Sequence, residues 1–216
     1  MMEIPKTLQR KLDEGRQFRS VVEVRALDGQ PEERKVVEGY ATTFNAPYEL
    51  WREDDYVVLE QIDRHAFDRT DMSDVIMQYD HEGRVFARTS NGTLTLAADD
   101  HGLKIVADLS GTEIGRQLYE EIRGGYTDKM SFGFTVDADE RLITEEGGVT
   151  TVLRTITGIK KLYDVSAVSL PANNATEISA RSWADGVIEQ LTEERRKAQE
   201  IERRKQIQRI HIMLGL

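Results

Sequence analysis

The 216 residues suit one domain with appendages or two small domains, and a chain of this length buries enough surface to fold without covalent cross-links. Cysteine is absent, so disulfides, thiolate nucleophiles and cysteine-based zinc sites are excluded. The formal net charge of −10 disfavours broad nucleic-acid binding. Because neither a run of about eighteen apolar residues nor a signal-like N-terminus occurs, we expect a soluble, intracellular protein with no membrane partner and no nucleic-acid partner.

The first third of the chain is predicted to form an arm followed by short strands. Residues 1–17 are polar and have no clear period, which indicates an N-terminal arm. The segment from Asp63 to Arg69 is expected to form a turn of helix. The β-prone runs, which are separated by turn-forming residues, predict strands at 19–26, 35–42, 56–62 and 74–79.

The fourth of these strands delivers a polar group, Asp80-His81-Glu82-Gly83, at its end. A strand at 85–89 follows, and the Asn91-Gly92 pair before the next β-prone run at 93–97 is a strong signal for a tight hairpin. Asp99 to Gly102 then predicts a turn, and residues 103–109 predict another strand.

One helix is expected before the stretch that organises the chain. Ser110 and Glu113 have capping-box spacing, the apolar residues Ile114, Leu118 and Ile122 recur on one face, and Gly124-Gly125 ends the segment. The strand 128–134 comes next. Its period of two places Met130, Phe132 and Phe134 on one face and Ser131 beside Gly133 on the other, which leaves space next to a hydroxyl.

The rest of the chain predicts a mobile loop, two strands and a helical tail. The loop is the acidic, glycine-containing segment 137–148, and the strands are 149–159 and 160–170. The composition changes at Trp183, after which charged residues and helically spaced apolar residues predict a helix. We therefore expect an N-terminal arm (1–17), a main domain (18–182) and a helical C-terminal tail (183–216) in a mainly β, α+β fold.

Metal, phosphate and hydrolase motifs are missing. His81-Glu82 begins like a zinc-protease motif, but Val85 occupies the place of the second histidine. The other candidate metal ligands are Asp80, Asp99, Asp100 and His101. They would form a metal site with His81 only if the fold brought these side chains together, which the sequence does not predict. Neither a phosphate-binding loop nor a Gly-x-Ser-x-Gly motif occurs. We expect no metal and no cofactor.

A serine, a histidine and an acid on separate β elements remain as candidates for chemistry. Serine needs a base within hydrogen-bond reach, and a third group fixes the tautomer of a histidine base. Ser131, His81 and Asp164 each lie within or at the end of a predicted strand. The residue types alone do not show that these side chains meet. A serine on a strand is usually structural, and Asp164 is equally well interpreted as a cross-strand or solvated acid.

An ordered series of motifs resembles the tailed-phage prohead serine proteases over roughly residues 20–181. The resemblance is carried by Asp80-His81, Gly83-Arg84, Phe86-Ala87-Arg88-Thr89, Asn91-Gly92-Thr93-Leu94, Asp99-Asp100-His101-Gly102-Leu103, Ile122-Arg123-Gly124-Gly125, Met130-Ser131-Phe132-Gly133-Phe134, Arg154-Thr155-Ile156, 162–168 and Pro171-Ala172. Each motif is weakly specific, whereas the ordered set is strong.

The resemblance implies a maturation protease with a small closed β-barrel flanked by helices, similar in fold to the herpesvirus assembly proteases. It implies His81 and Ser131 as the catalytic pair, with Asp164 as third member where the family usually has glutamate. His65 falls where the family usually has glycine, so no role is expected for it. The implied partners are the major capsid protein and its scaffolding domain, other assembly partners, and the protease itself, through self-cleavage or a homo-oligomer. The implied location is the inside of the immature capsid in the host cytoplasm.

Two other classes of function are compatible with the sequence. One is a non-enzymatic scaffold or capsid-interaction protein, in which the tail is the functional part. The other is a hydrolase of the same fold that acts on a different substrate. Modification of Ser131 by a serine-directed phosphonate separates the first class from a protease, because labelling requires an activated hydroxyl.

Overall fold

The computed structural model describes residues 6–53, 55–169 and 174–214. The helices are α1 (Lys6–Asp13), α2 (Glu113–Arg123) and α3 (Asn174–Leu214). The strands are β1 (Gln17–Ala26), β2 (Val36–Thr43), β3 (Tyr48–Glu53), β4 (Tyr56–Ile62), β5 (Ile76–Tyr79), β6 (Glu82–Arg88), β7 (Leu94–Ala98), β8 (Gly102–Asp108), β9 (Lys129–Glu146) and β10 (Val149–Val168). The chain is therefore mainly β with a few helices, as predicted.

The ten strands form one sheet that is not closed into a barrel. Along the main path the order is β3-β4-β10-β9-β1-β2-β8-β7, and β5 and β6 branch from β10. Closure requires hydrogen bonds between the two terminal strands of the path, and in the described part of the chain β3 pairs with β4 and β7 pairs with β8. The closed barrel that the resemblance implied is therefore not confirmed.

The core lies between the sheet and α2. Met130, Phe132 and Phe134 are fully buried, as their shared face of β9 predicts, and the rings of the two phenylalanines stack with centroids 4.6 Å apart. Leu118 and Ile122 of α2 belong to the same apolar cluster. These two residues are four apart, so they lie on one face of the helix. Burial of this face holds α2 on the sheet.

A buried ionic network lies on the same face of the sheet as the two phenylalanines, where Arg19 is paired with Phe132. The carboxylate of Glu60 on β4 accepts hydrogen bonds from Arg19 (2.5 and 3.0 Å), Arg154 (2.8 Å) and the hydroxyl of Tyr48 (2.5 Å). Glu60, Arg19 and Arg154 are at most 2% exposed. Burial raises the pKa of Glu60, but the two guanidiniums and the Tyr48 hydroxyl outweigh it, so the pKa lies below its ordinary value.

Several local predictions were wrong because tertiary pairing overrode local signals. Asn91-Gly92 does not join a hairpin: residues 89–91 form a 3-10 helix that ends at Gly92 (φ 75°), and β6 and β7 pair with different partners. Residues 137–148 are not a loop, since β9 and β10 continue to a tight turn at Gly147-Gly148. Residues 63–69 form turns without an α-helix, and β3 was not predicted.

The N-cap of α2 is Thr112 and not Ser110. The side-chain oxygen of Thr112 accepts a hydrogen bond from the backbone N–H of Gly115. The hydroxyl of Ser110 instead donates to Asp108 and accepts from the backbone N–H of Lys35, which ties β8 to the start of β2. Ser110 and Thr112 are both residues that commonly cap helices. Because the hydroxyl of Ser110 is used between β8 and β2, Thr112 caps the helix.

The chain divides into two compact units, Met1–Ala180 and Arg181–Leu216. Helix α3 begins at Asn174, ahead of the predicted tail at 183. In the second unit this helix is largely exposed, and its side chains form ion pairs such as Glu193–Arg196 and Glu200–Arg204. Ile201 and Ile207 are 55% and 46% exposed. Within the described residues, no helix is long and apolar enough to cross a membrane.

Candidate active site

Ser131 lies in the middle of the sheet, between β10 on one side and β1 on the other. The register pairs Ser131 with Ser166 and Gly133 with Asp164 on β10, and it pairs Gly133 with Phe18 on β1. Directly paired residues of antiparallel strands point to the same face. Ser131, Asp164, Ser166 and Phe18 therefore share the face of the sheet opposite the Phe132–Phe134 stack.

Gly133 provides the room that the Asp164 carboxylate occupies. A Cβ atom at position 133 would lie 2.5 Å from Oδ2 of Asp164 and 3.0 Å from the ring of Phe18. Any other residue at this position would therefore push the carboxylate or the ring away. The sequence predicts space beside Ser131 at Gly133, and the structure shows that the acid and an aromatic ring take it.

His81 reaches this face from a strained turn at the end of β5. Parallel pairing of β5 with β10 carries Tyr79 to Ala167, and the backbone N–H of Asp80 then donates to the Ala167 carbonyl at 2.9 Å. Asp80 and His81 have φ values of 48° and 60°, and the flanking residues Tyr79 and Glu82 are paired. Positive φ at both central residues is the geometry of a type I′ turn, which turns the His81 side chain back over β10.

The three predicted side chains form one hydrogen-bonded chain. His81 Nε2 lies 2.6 Å from Oγ of Ser131, and His81 Nδ1 is hydrogen-bonded to Oδ1 of Asp164. The Ser166 hydroxyl donates to the same Asp164 oxygen at 3.0 Å. The ring of Phe18 packs edge-on against the imidazole with centroids 4.6 Å apart. The imidazole is therefore held by a hydrogen bond at each nitrogen and by an aromatic wall.

Asp164 is ionised in this arrangement. Burial raises the pKa of its carboxyl group, but the charge and hydrogen bond of His81, the hydroxyl of Ser166 and the charge of Lys11 together outweigh it, and the pKa lies below its ordinary value. A carboxylate only accepts hydrogen bonds, so Nδ1 of His81 carries the proton. In the neutral imidazole Nε2 is then the acceptor, and the Ser131 hydroxyl donates its hydrogen bond to it.

The site is closed to solvent, although the sequence suggests open space beside Ser131. Ser131 is 0% exposed, His81 2% and Asp164 1%. A cavity of about 660 Å³ lies beside the His81 turn. It is bounded by the β5–β6 connection and by α2, and its lining includes Tyr79, Glu82, Arg84, Phe86, Gln117 and Leu118.

The other histidines with described side chains lie away from Ser131 and Asp164. His65 is hydrogen-bonded to the exposed Asp68, and His101 packs against Tyr40 in the β7–β8 turn. The side chain of His211 lies outside the described residues. Among the residues that the structure describes, no group of three histidine or acidic side chains is arranged to hold a metal ion. Arg84 lines the cavity, whereas Arg88 pairs with Asp74.

Three residues of the site were missed by the sequence analysis. Ser166 was detectable, because it lies two residues after Asp164 and a strand puts such residues on one face. Phe18 was not, since its place depends on the pairing of β1 with β9. Lys11 was not either: its ammonium donates to the backbone carbonyl of His81 at 2.5 Å across 70 residues of sequence.

A hydroxyl hydrogen-bonded to an imidazole, which is itself hydrogen-bonded to a buried carboxylate, is the arrangement that activates serine for nucleophilic attack. A model of the caudovirus prohead serine protease family matches residues 20–187 of the chain. A search of curated proteins found no significant match. Nor did any solved structure match, so the expected likeness to the herpesvirus assembly proteases is not confirmed. The chain belongs to the caudovirus prohead serine protease family and is a serine endopeptidase of phage capsid maturation.

Proposed function

We propose that the chain cleaves the scaffolding domain of the major capsid protein, and itself, inside the immature capsid in the host cytoplasm. Ser131 is the nucleophile, His81 the general base and acid, and Asp164 the residue that orients His81. The observation that carries the assignment is the continuous chain of hydrogen bonds from Asp164 through His81 to Ser131. The family supports the capsid as the setting.

The reaction proceeds through an acyl-enzyme. Oγ of Ser131 attacks the scissile carbonyl carbon while Nε2 of His81 accepts the hydroxyl proton. The imidazolium then gives that proton to the leaving amine as the peptide bond breaks. Water then attacks the ester carbonyl carbon while Nε2 of His81 accepts its proton. The bond between the acyl carbon and Oγ breaks, His81 returns the proton to Oγ, and the carboxylic acid product leaves Ser131 regenerated. The buried negative charge of Asp164 stabilises the imidazolium in both halves of the reaction.

Backbone amides would bind the oxyanion. The segment that follows Leu170 is the candidate, but the sequence does not locate the amides, and residues 170–173 lie outside the described residues. The described chain carries the preceding residue, Ser169, to the edge of the site, where its backbone N–H and hydroxyl donate to the carboxylate of Asp80. This contact joins the end of β10 to the turn that bears His81.

Substrate enters beside the His81 turn. Because Ser131 is fully buried, the structure describes a closed state, and an opening motion must precede attack. The cavity between the β5–β6 connection and α2 offers about 660 Å³ next to His81, which accommodates one or two substrate side chains. The exposed Ile201 and Ile207 of the tail are proposed contacts for the scaffolding domain.

Co-expression with the capsid protein tests the proposal. Intact mass of the capsid protein, and of the protease, is compared for the wild type, Ser131→Ala and the exposed control Ser90→Ala. Loss of the nucleophile of a serine protease lowers turnover by about a millionfold, so Ser131→Ala should leave both chains uncut. Processing by Ser131→Ala at the rate of the control contradicts the assignment. A chain that only binds the capsid protein, as a scaffold would, leaves it uncut in every variant.

A further inference from the structure

The turn that carries His81 is strained. Asp80 and His81 both have a positive φ, a region that residues other than glycine adopt uncommonly, although asparagine, aspartate and histidine adopt it more often than the rest. Such a turn persists only when surrounding contacts hold it. The position of the imidazole therefore depends on whatever fixes the backbone of these two residues.

The Asp80 half of the turn is held by β10. Its backbone N–H donates to the carbonyl of Ala167, and its carboxylate accepts from the backbone N–H and the hydroxyl of Ser169 at 3.0 and 2.9 Å. The His81 half is held from a different part of the chain. The ammonium of Lys11, on α1, donates to the His81 carbonyl at 2.5 Å in a half-buried setting.

Backbone hydrogen bonds fix the end of the helix that carries Lys11. After α1, the backbone N–H of Gly15 donates to the carbonyl of Leu12 (2.8 Å) and that of Arg16 donates to the carbonyl of Lys11 (3.1 Å). With Gly15 at φ 76°, these two bonds form a Schellman motif, which ends the helix in a defined geometry. The chain then enters β1, whose first residue pairs with Phe134 on the strand of Ser131.

A second contact fixes the same segment to the strand of Asp164. The guanidinium of Arg16 lies 3.8 Å from the ring centroid of Tyr163 on β10, which is a cation–π distance. Helix α1 is thus connected to β9 through the pairing of β1 and to β10 through the contact of Arg16. These are the two strands that carry the other members of the hydrogen-bonded chain, so Lys11 relates the His81 backbone to both of them.

We propose that Lys11 is a positioning residue of the protease, through which the N-terminal segment holds the His81 turn in register with Ser131 and Asp164. This inference rests on the proposed function and adds the N-terminal segment to the catalytic apparatus. Lys11 touches neither substrate nor the reacting atoms. Its loss lets the strained turn relax, and displacement of a catalytic group by about 1 Å costs on the order of a hundredfold in rate.

The test measures labelling of Ser131 by a fluorophosphonate over a range of probe concentrations, which separates the maximal labelling rate from probe binding. We expect Lys11→Met to lower the maximal rate about ten- to a hundredfold with little change in half-saturation and in melting temperature. Lys11→Arg, which keeps a cationic donor, should recover most of the rate. Arg10→Met is the matched control, since Arg10 lies on the same helix and is exposed.

Two results overturn the inference. A labelling rate of Lys11→Met within twofold of Arg10→Met shows that the contact does not position His81. A slow Lys11→Met that also melts at a lower temperature, and that Lys11→Arg does not restore, shows a general structural role. The Ser131→Ala variant tests the proposed function separately from the role of Lys11. If the probe still labels that variant, Ser131 is not the nucleophile, and this conclusion does not depend on the Lys11 variants.

Discussion

Replacing Gly133 by alanine tests whether the position of Asp164 governs activity. The added methyl group would lie 2.5 Å from Oδ2 of Asp164, where ordinary contacts are at least 3.4 Å, so the carboxylate must retreat by about 0.9 Å. Phe18, with a ring atom at 3.0 Å, blocks one direction of relief. Overpacking of this kind costs roughly 1–3 kcal/mol of stability, which leaves the domain folded.

The expected effect on activity is larger than the effect on folding. A shift of about 1 Å in a catalytic group lowers the rate about a hundredfold, which corresponds to about 2.7 kcal/mol in the barrier. The assay is the rate of capsid-protein processing, measured alongside the melting temperature. Gly111→Ala is the control, because a Cβ atom added at Gly111 would meet no atom within 4 Å and the φ of this residue is not positive.

The comparison with Asp164→Asn shows whether the two changes act through one group. Asparagine keeps the size of the side chain but removes the negative charge, and the corresponding change in a serine protease triad lowers turnover about ten-thousandfold. If Gly133→Ala acts by displacing the carboxylate, it should have little further effect in the Asp164→Asn background. Full processing by Gly133→Ala at an unchanged melting temperature would show that activity does not depend on where the carboxylate lies.

Two further predictions concern the buried ionic network and the cavity. Glu60→Gln removes the buried negative charge that Arg19 and Arg154 share, although Arg154 keeps its ion pair with Asp139, and should cost about 3–5 kcal/mol at pH 7. Because folding lowers the pKa of Glu60, its charge stabilises the fold above the ordinary carboxyl pKa and ceases to do so as pH falls through the lowered value. The difference from wild type in thermal unfolding should therefore shrink between pH 6 and 3, and a constant difference would contradict it. Gln117→Trp fills the cavity and should slow capsid-protein processing while fluorophosphonate labelling of Ser131 continues. Glu120→Trp, on the same helix but outside the cavity, is the control and should change neither rate. Unimpaired processing by Gln117→Trp would show that substrate does not use the cavity.

Much of the sheet was predictable because its strands carry their own periodic signal. The run at 56–62 coincides with β4, and the alternation around Ser131 predicts the buried face of β9 correctly. Long-range pairing was not predictable in the same way. Asn91-Gly92 is a strong hairpin signal, yet β6 pairs with β5 and β7 pairs with β8, so this segment forms a 3-10 turn between two strands that do not pair with each other.

The candidate site shows the same division. Residue types and motif order singled out His81, Ser131 and Asp164, and the register of β10 on β9 places the latter two on one face. Their burial was not evident, because solvent exposure depends on which segments cover the sheet. The contact of Lys11 with His81 carries no sequence signal, since a lysine in a polar segment looks like any solvated charge until the fold places it.

Activation of Ser131 by His81 underlies every proposal made for this protein. Mass-spectrometric mapping of the residue modified by a fluorophosphonate, in the wild type and in His81→Ala, measures that activation. We expect a single modified peptide that contains Ser131 in the wild type and loss of that modification in His81→Ala, because the hydroxyl then lacks its base at 2.6 Å. Modification of a different serine, or equal labelling of Ser131 in both proteins, would show that His81 does not activate Ser131.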